Sequence, residues 1–259
     1  SHRLSVMGLL VTLGIVYGDI GTSPLYVMRA IVGATSAVTP DYIIGAVSCI
    51  IWTLTFQTTL KYVVLALRAD NNGEGGILAL YALVRKHGSA WLYLLAIIGA
   101  STLVADGVIT PSITVLSAIE GLRTYEPSTP VIPIAIAILT VLFFIQQYGT
   151  SAIGKLFGPL MLLWFSMIGI LGLTHVSDSW VILKAFNPWY AVHLLATSPE
   201  WFLILGAVFL CTTGAEALYS DLGHCGKHNI RVSWAFVKTM LICNYLGQGA
   251  WIIAHAGQF

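Results

Sequence analysis

Charge is scarce in this chain. Only 9% of its 259 residues are Asp, Glu, Lys or Arg and 57% are hydrophobic, whereas an ordinary soluble domain is roughly 25% charged. That leaves too little polar surface to wrap a water-soluble globule. Neither sign dominates: 12 basic against 11 acidic residues give a net charge of +1, which excludes the basic face of a nucleic-acid binder. The four cysteines, Cys49, Cys211, Cys225 and Cys243, form no CxxC pair and lie in or beside apolar runs. They read as small hydrophobes, not as a disulfide frame or a zinc site. The histidines supply no HExxH, which argues against a metal enzyme. The apolar start, Leu4 to Val16, runs into Gly18-Asp19-Ile20-Gly21 with no small-residue cleavage pattern, so it is not a signal peptide. The class that remains is an all-α polytopic membrane protein.

Seven apolar stretches are long enough to cross about 30 Å of hydrocarbon, near 5–35, 41–67, 91–122, 131–148, 156–176, 201–223 and 231–255. The first and third are longer than an upright helix needs and are expected to be tilted or interrupted. With the N-terminus inside, Arg3, Lys61, Arg68, Arg85, Lys86, Lys155, Lys227, Arg231 and Lys238 fall on the cytoplasmic side, and only Arg29, Arg123 and Lys184 outside. Nine against three sets the N-terminus in the cytoplasm. Trp91, Trp180, Trp189, Trp201 and Trp234 lie near span ends, where indoles prefer the interface. Between spans, Arg68-Ala69-Asp70-Asn71-Asn72-Gly73-Glu74-Gly75-Gly76 reads as a polar turn, followed by a short amphipathic helix bearing Leu78, Tyr81, Ala82 and Arg85. Asp70 and Glu74 would repel a phosphate there. Residues 177–200 read as an outer loop lying on the interface.

Basic residues are missing at depth, and carboxylates are not. Asp19, Asp106 and Glu216 fall near mid-span, each costing roughly 2.5 to 3.5 kcal/mol to insert, or roughly 8 to 10 kcal/mol together. A structural salt bridge lacks its cation, which leaves a cation or proton pathway, or carboxyls held protonated by hydrogen bonds.

Around Asp19, Tyr17-Gly18-Asp19-Ile20-Gly21-Thr22-Ser23-Pro24 couples two glycines to two N-cap types and a proline. This predicts a helix stop and restart inside the first span, with unpaired carbonyls lining a cavity or holding an ion. The sixth span repeats the idea in Thr212-Thr213-Gly214-Ala215-Glu216. Breaks at matching places in two halves point to a transporter whose first and sixth spans each begin a repeat of five, residues 1–176 and 201–259. In the third span, at about 100° per residue, Thr102, Thr110, Ser117 and Glu120 fall within about 40° of Asp106, and Thr114 about 80° away. Pro111 frees the carbonyl of Gly107. Glu120, one turn from Arg123, reads as a surface ion pair or vestibule residue, and Asp221, close to His224, Lys227 and His228, as a cytoplasmic gate or interface salt bridge. Carboxylate, hydroxyl and carbonyl oxygens suit an alkali cation.

With these residues in hand, the chain resembles the KUP/HAK/KT family of potassium uptake transporters. The likeness runs through Gly18-Asp19-Ile20-Gly21-Thr22-Ser23-Pro24-Leu25-Tyr26, Arg68-Ala69-Asp70-Asn71 with Gly73-Glu74-Gly75-Gly76, and Ile109-Thr110-Pro111. It continues through Ser117-Ala118-Ile119-Glu120-Gly121-Leu122, Gly154-Lys155-Leu156-Phe157, and Gly214-Ala215-Glu216-Ala217-Leu218-Tyr219 with Asp221-Leu222-Gly223-His224.

The resemblance implies the inverted-repeat fold of the amino acid, polyamine and cation transporter superfamily, and potassium:proton symport across the cell membrane. It implies potassium ligands at Asp19, Tyr26, Asp106, Thr110, Thr114 and Thr213, with the coupling proton on Glu216 or Asp106. It implies no cofactor, no metal other than potassium, a lipid surround, and a homodimer formed through a C-terminal region beyond this chain. Family members carry about a dozen spans, so the start at Ser1 and the end at Phe259 read as a fragment cut after the seventh. Three other readings compete. An amino acid permease would find Asp19 repelling its substrate carboxylate; an intramembrane aspartyl protease would use Asp19 and Asp106; a channel would need a pore loop.

Overall fold

The computed structural model describes residues 4–35, 37–85, 90–146 and 150–255, with side chains throughout except at 146 and 150–156. Arg3 and Lys86 lie outside the described residues, as does the side chain of Lys155. The described chain is all-helical. The first span is a chain of short pieces: α1 (Val6–Val16), α2 (Gly18–Thr22), a 3-10 turn at Ser23–Leu25, and α3 (Val27–Gly33). The second, α4 (Pro40–Thr53), widens into π-helical turns over Leu54–Leu65 and ends in a 3-10 turn at Arg68. Next come the short α5 (Ile77–Val84), the long α6 (Ala90–Glu120), α7 (Val131–Gln146) and α8 (Thr150–Val176). After a 3-10 segment at Trp180–Phe186 follow α9 (Pro188–Thr197), α10 (Trp201–Phe209), α11 (Ala217–Ser220), α12 (Leu222–Cys225) and α13 (Lys227–Ala254).

Among the described residues, four helical stretches are long and apolar enough to span a membrane: Pro40–Arg68, Ala90–Thr124, Phe157–Val176 and Trp201–Ser220. Val6–Val16 with Gly18–Leu25 makes a fifth, bent by 69°. The other two expected spans come out differently. The apolar part of α7, Val131–Ile145, is shorter than a full crossing. α13 is long, at 28 residues, but carries polar groups that it turns inward: Asn229, Ser233 and Asn244 are buried. A helix shielded by neighbours need not be lipid-soluble on that face.

α13 packs along α8, and α8 along α1, around a core that includes Leu13, Tyr17, Phe165, Trp234, Val237 and Leu241. α8 and α13 meet where Gly172 faces Gly247, so closely that a side-chain carbon on either would overlap the other helix's backbone. Small residues permit such crossings. Asn244 then reaches across to the Ile168 carbonyl at 2.9 Å.

Residues 177–200 form a 3-10 segment and a helix, not a surface loop. α9 lies against α4: Ser48 donates to the Asn187 carbonyl at 3.0 Å, and Trp52 Nε1 to that of Phe186 at 3.2 Å. Trp234 is not interfacial. It is 2% exposed, stacks on Tyr17 and donates Nε1 to Thr59 Oγ1 at 2.9 Å. In α5, Leu78 and Arg85 face out, while Tyr81 meets Tyr93 and Ile77 lies against Gly99 of α6.

Candidate functional site

The first break begins at Tyr17, whose dihedrals (φ −104°, ψ 14°) end α1, and continues through the 3-10 turn to Tyr26 (φ −130°). Gly18 and Gly21 are not in the left-handed region, so the bend owes more to Tyr17 and the Pro24 turn than to glycine freedom. Thr22 and Ser23, expected from sequence to cap the following helix, make no side-chain cap bond. Their hydroxyls turn back to the Asp19 carbonyl at 2.9 and 3.3 Å. Trp164 Nε1 on α8 takes up the Gly21 carbonyl at 2.8 Å, and Gln248 on α13 that of Pro24 at 3.1 Å. Three carbonyls at the break are therefore already satisfied by side chains, as buried backbone groups must be.

The sixth-span break is sharper. α10 runs into a 3-10 turn ending at Thr212, Thr213 is extended (ψ 129°), and Gly214 sits at φ 85°. Only glycine adopts that conformation freely. A carbon placed on Gly214 would lie 2.5 Å from Asp19 Cβ and 2.9 Å from the Ile20 nitrogen. The two breaks are thus in direct contact.

α6 completes the cluster. It runs as one helix through Pro111 and turns Asp106, Thr110 and Thr114 toward the first break. Thr110 is 4% exposed, and its Oγ1 donates to Asp106 Oδ1 at 2.7 Å. Thr114 Oγ1 shares a hydrogen bond of 3.3 Å with Thr22 Oγ1. Tyr26 interacts with the Thr213 hydroxyl and lies within electrostatic range of Asp19 and Asp106. Glu216 lines the same cavity as Asp106 and lies within electrostatic range of both Asp106 and Asp19. The three mid-span carboxyls therefore form one group, with Tyr26, Thr110 and Thr213 around it. Thr114 lies one turn further along α6.

A cavity of about 500 Å³ opens on this group, lined by Asp106, Thr213 and Glu216 together with Thr102, Tyr62 and Lys61. Lys61, toward a span end by sequence, shares the cavity; its Nζ lies 4.8 Å from the centre of the Tyr62 ring. Trp164, Gln248 and Lys61 were not singled out by sequence. Trp164 alone carried a signal, as an indole in the middle of a span.

Two outlying acids take other partners than their sequence neighbours. Glu120 pairs with Arg29 of α3 at 2.5 Å, not with Arg123, which bonds the Thr129 carbonyl instead. Lys227 pairs with Asp70 at 2.5 Å, not with Asp221. Asp221 stays within electrostatic range of His224, and its carbonyl receives the His224 and Cys225 amides. His224 and His228 stand four apart but fall on different helices, α12 and α13, either side of Gly226 at φ 77°.

The K+ potassium transporter integral membrane domain matches residues 6–259. A probable potassium transport system protein Kup of Flavobacterium psychrophilum is 59% identical over 255 residues, covering 98% of this chain and 39% of that protein. Its namesakes in Flavobacterium johnsoniae and Cytophaga hutchinsonii are 57% and 54% identical, over 98% and 99% of this chain and 39% and 40% of their own lengths. The chain thus spans about two fifths of the curated relatives it matches. No solved structure matches it. With a match over nearly its whole length to that domain, the chain belongs to the K+ potassium transporter family.

Proposed function

We propose that this chain carries the cation site of a potassium:proton symporter of the cell membrane. Potassium binds between the two broken helices, to Asp19, Tyr26, Asp106, Thr110, Thr114 and Thr213. The coupling proton resides on Glu216 or Asp106, which line the same cavity. The observation that carries this reading is the grouping of Asp19, Asp106 and Glu216 around hydroxyls, with no arginine or lysine paired to any of them among the described residues. Carboxylates gathered in a membrane interior without a paired base call for a cation. Two further features support it. The relatives are named as potassium transport proteins, and the two helix breaks fall in what the sequence reads as the first and sixth spans, where an inverted repeat of five spans would put them. On this reading the N-terminus is cytoplasmic, the first repeat covers 1–176 and the second begins at 201, and access alternates as the broken spans rock against the rest. Any homodimer would form outside this chain.

Rubidium uptake by potassium-starved cells expressing the full-length protein tests the site. Asp19→Asn is expected to abolish high-affinity uptake. Undiminished uptake in that variant would remove Asp19 from the site.

A further inference from the structure

The glycine-rich turn plays no part in the cation site, yet several of its residues lie close against the sixth span. Asn71 and Glu74 exchange backbone hydrogen bonds of 2.9 and 3.0 Å, closing a tight turn with Asn72 at φ 54° and Gly73 at φ 90°. Asp70 Oδ2 steadies it by accepting from the Gly73 amide at 3.1 Å. Each later glycine has its own reason. A carbon on Gly75 would fall on the Tyr219 carbonyl oxygen, and Gly76, at φ 91°, lies over Ser220. The Glu74 carboxylate in turn rests on Gly223, where a carbon would overlap it. The turn is seated on the inner half of the sixth span through positions that admit no side chain.

Two polar contacts hold it there. Tyr219 donates its hydroxyl to the Ala69 carbonyl at 2.6 Å, and Lys227 Nζ meets Asp70 Oδ1 at 2.5 Å. The latter pair is part-exposed, 39% at Lys227 and 27% at Asp70. Such ion pairs are weak and break readily. Directly behind the turn lies the cavity that Asp106 and Glu216 line, and Gly76, Ile77, Leu80, Tyr219 and Ser220 form its wall on this side. The seat thus stands between the carboxyls and the end of the molecule that bears Arg68, Lys227 and Arg231.

We propose that residues 69–76 are the inner gate of this cavity and that Asp70–Lys227 is its latch. Resting on the transport reading above, the gate opens when the latch parts and the turn lifts from Tyr219 and Gly223, clearing the way from Glu216 to the cytoplasm. The glycines let the turn seat closely, and the weak pair lets it leave.

The test reads access, not transport. In the full-length protein with its cysteines replaced, Ser220→Cys places a thiol on the cavity wall beneath Gly76. Its labelling by a membrane-impermeant maleimide is followed in inside-out vesicles. Asp70→Asn and Lys227→Gln are each expected to speed labelling about tenfold, and the exchange Asp70→Lys with Lys227→Asp to return it toward the parent rate. Unchanged labelling in folded single variants, or acceleration that the exchange fails to reverse, overturns the gate. Acceleration seen only from the opposite face of the membrane overturns the cytoplasmic assignment. Because labelling requires no potassium, these outcomes stand apart from the fate of Asp19→Asn uptake.

Discussion

Gly214 is seated on Asp19. A carbon built on the glycine comes 2.5 Å from Asp19 Cβ, and the glycine holds φ 85° to bring the two helix breaks together. Gly214→Ala therefore combines a left-handed alanine with a steric overlap, at a cost of about 2 kcal/mol or more. Melting in detergent is expected to fall and rubidium uptake to vanish. Gly206→Ala is the control, since that glycine lies within α10 with nothing within 4 Å of an added carbon. It should leave stability unchanged or raise it slightly. Equal losses at the two positions would contradict the seating of Gly214.

Thr110 holds the Asp106 carboxyl through a buried hydrogen bond of 2.7 Å. Thr110→Val keeps the shape and removes the hydroxyl, which both withdraws a bond and leaves the carboxyl less constrained. A loss of about 1.5 kcal/mol, the low end for a bond to a charged group, is about tenfold in affinity. The half-saturation concentration for rubidium should rise by that factor, and Thr110→Ser should restore most of it. A wild-type value for the valine variant would place the cation elsewhere.

Asp70 gives a pH dependence outside the membrane. The hydrogen bond from Lys227 holds its carboxyl below the usual carboxylate range, helped by the Lys227 charge and the Gly73 amide. A lowered folded-state value means that the contribution is present above the ordinary value, about 3.9, and is lost as pH falls through the lower value in the folded state. Protection of the 69–76 amides, measured relative to intrinsic exchange at each pH, should therefore fall on acidification through that window in the parent protein. Asp70→Asn, lacking the ion pair, should exchange faster at neutral pH and show less change on acidification. A parent protein and variant with the same acid response would detach the turn from this pair.

Much of the site was legible because its cues are local. Gly214 beside Glu216, and the Tyr17 to Pro24 string, announce breaks in helices wherever they occur, and both breaks are present. The helical repeat set Asp106, Thr110 and Thr114 near one face of α6, and that face meets the first break. Where the reading erred, the deciding partner was remote. Glu120 forms a surface ion pair as read, but its partner is Arg29 and not the neighbouring Arg123, and Lys227 takes Asp70 in place of the nearby Asp221. The carbonyls expected to stand free at the first break are taken by Thr22, Ser23, Trp164 and Gln248. Trp234 was assigned to the interface because a tryptophan near a span end cannot reveal that Tyr17 stacks on it.

The sequence alone determined that this chain lives in a membrane, where its helices break and which carboxyls lie at depth. Those follow from composition and from the conformational preferences of neighbouring residues, which act over a turn or two. Only the tertiary structure decided that the breaks touch, that three carboxyls from three spans form one group, and that the glycine-rich turn packs against Tyr219, Ser220 and Gly223 beside the cavity. Such relations depend on how helices cross. A crossing is set by many small contacts at once, among them Gly172 against Gly247 and Trp164 against Gly21, and no local pattern encodes it.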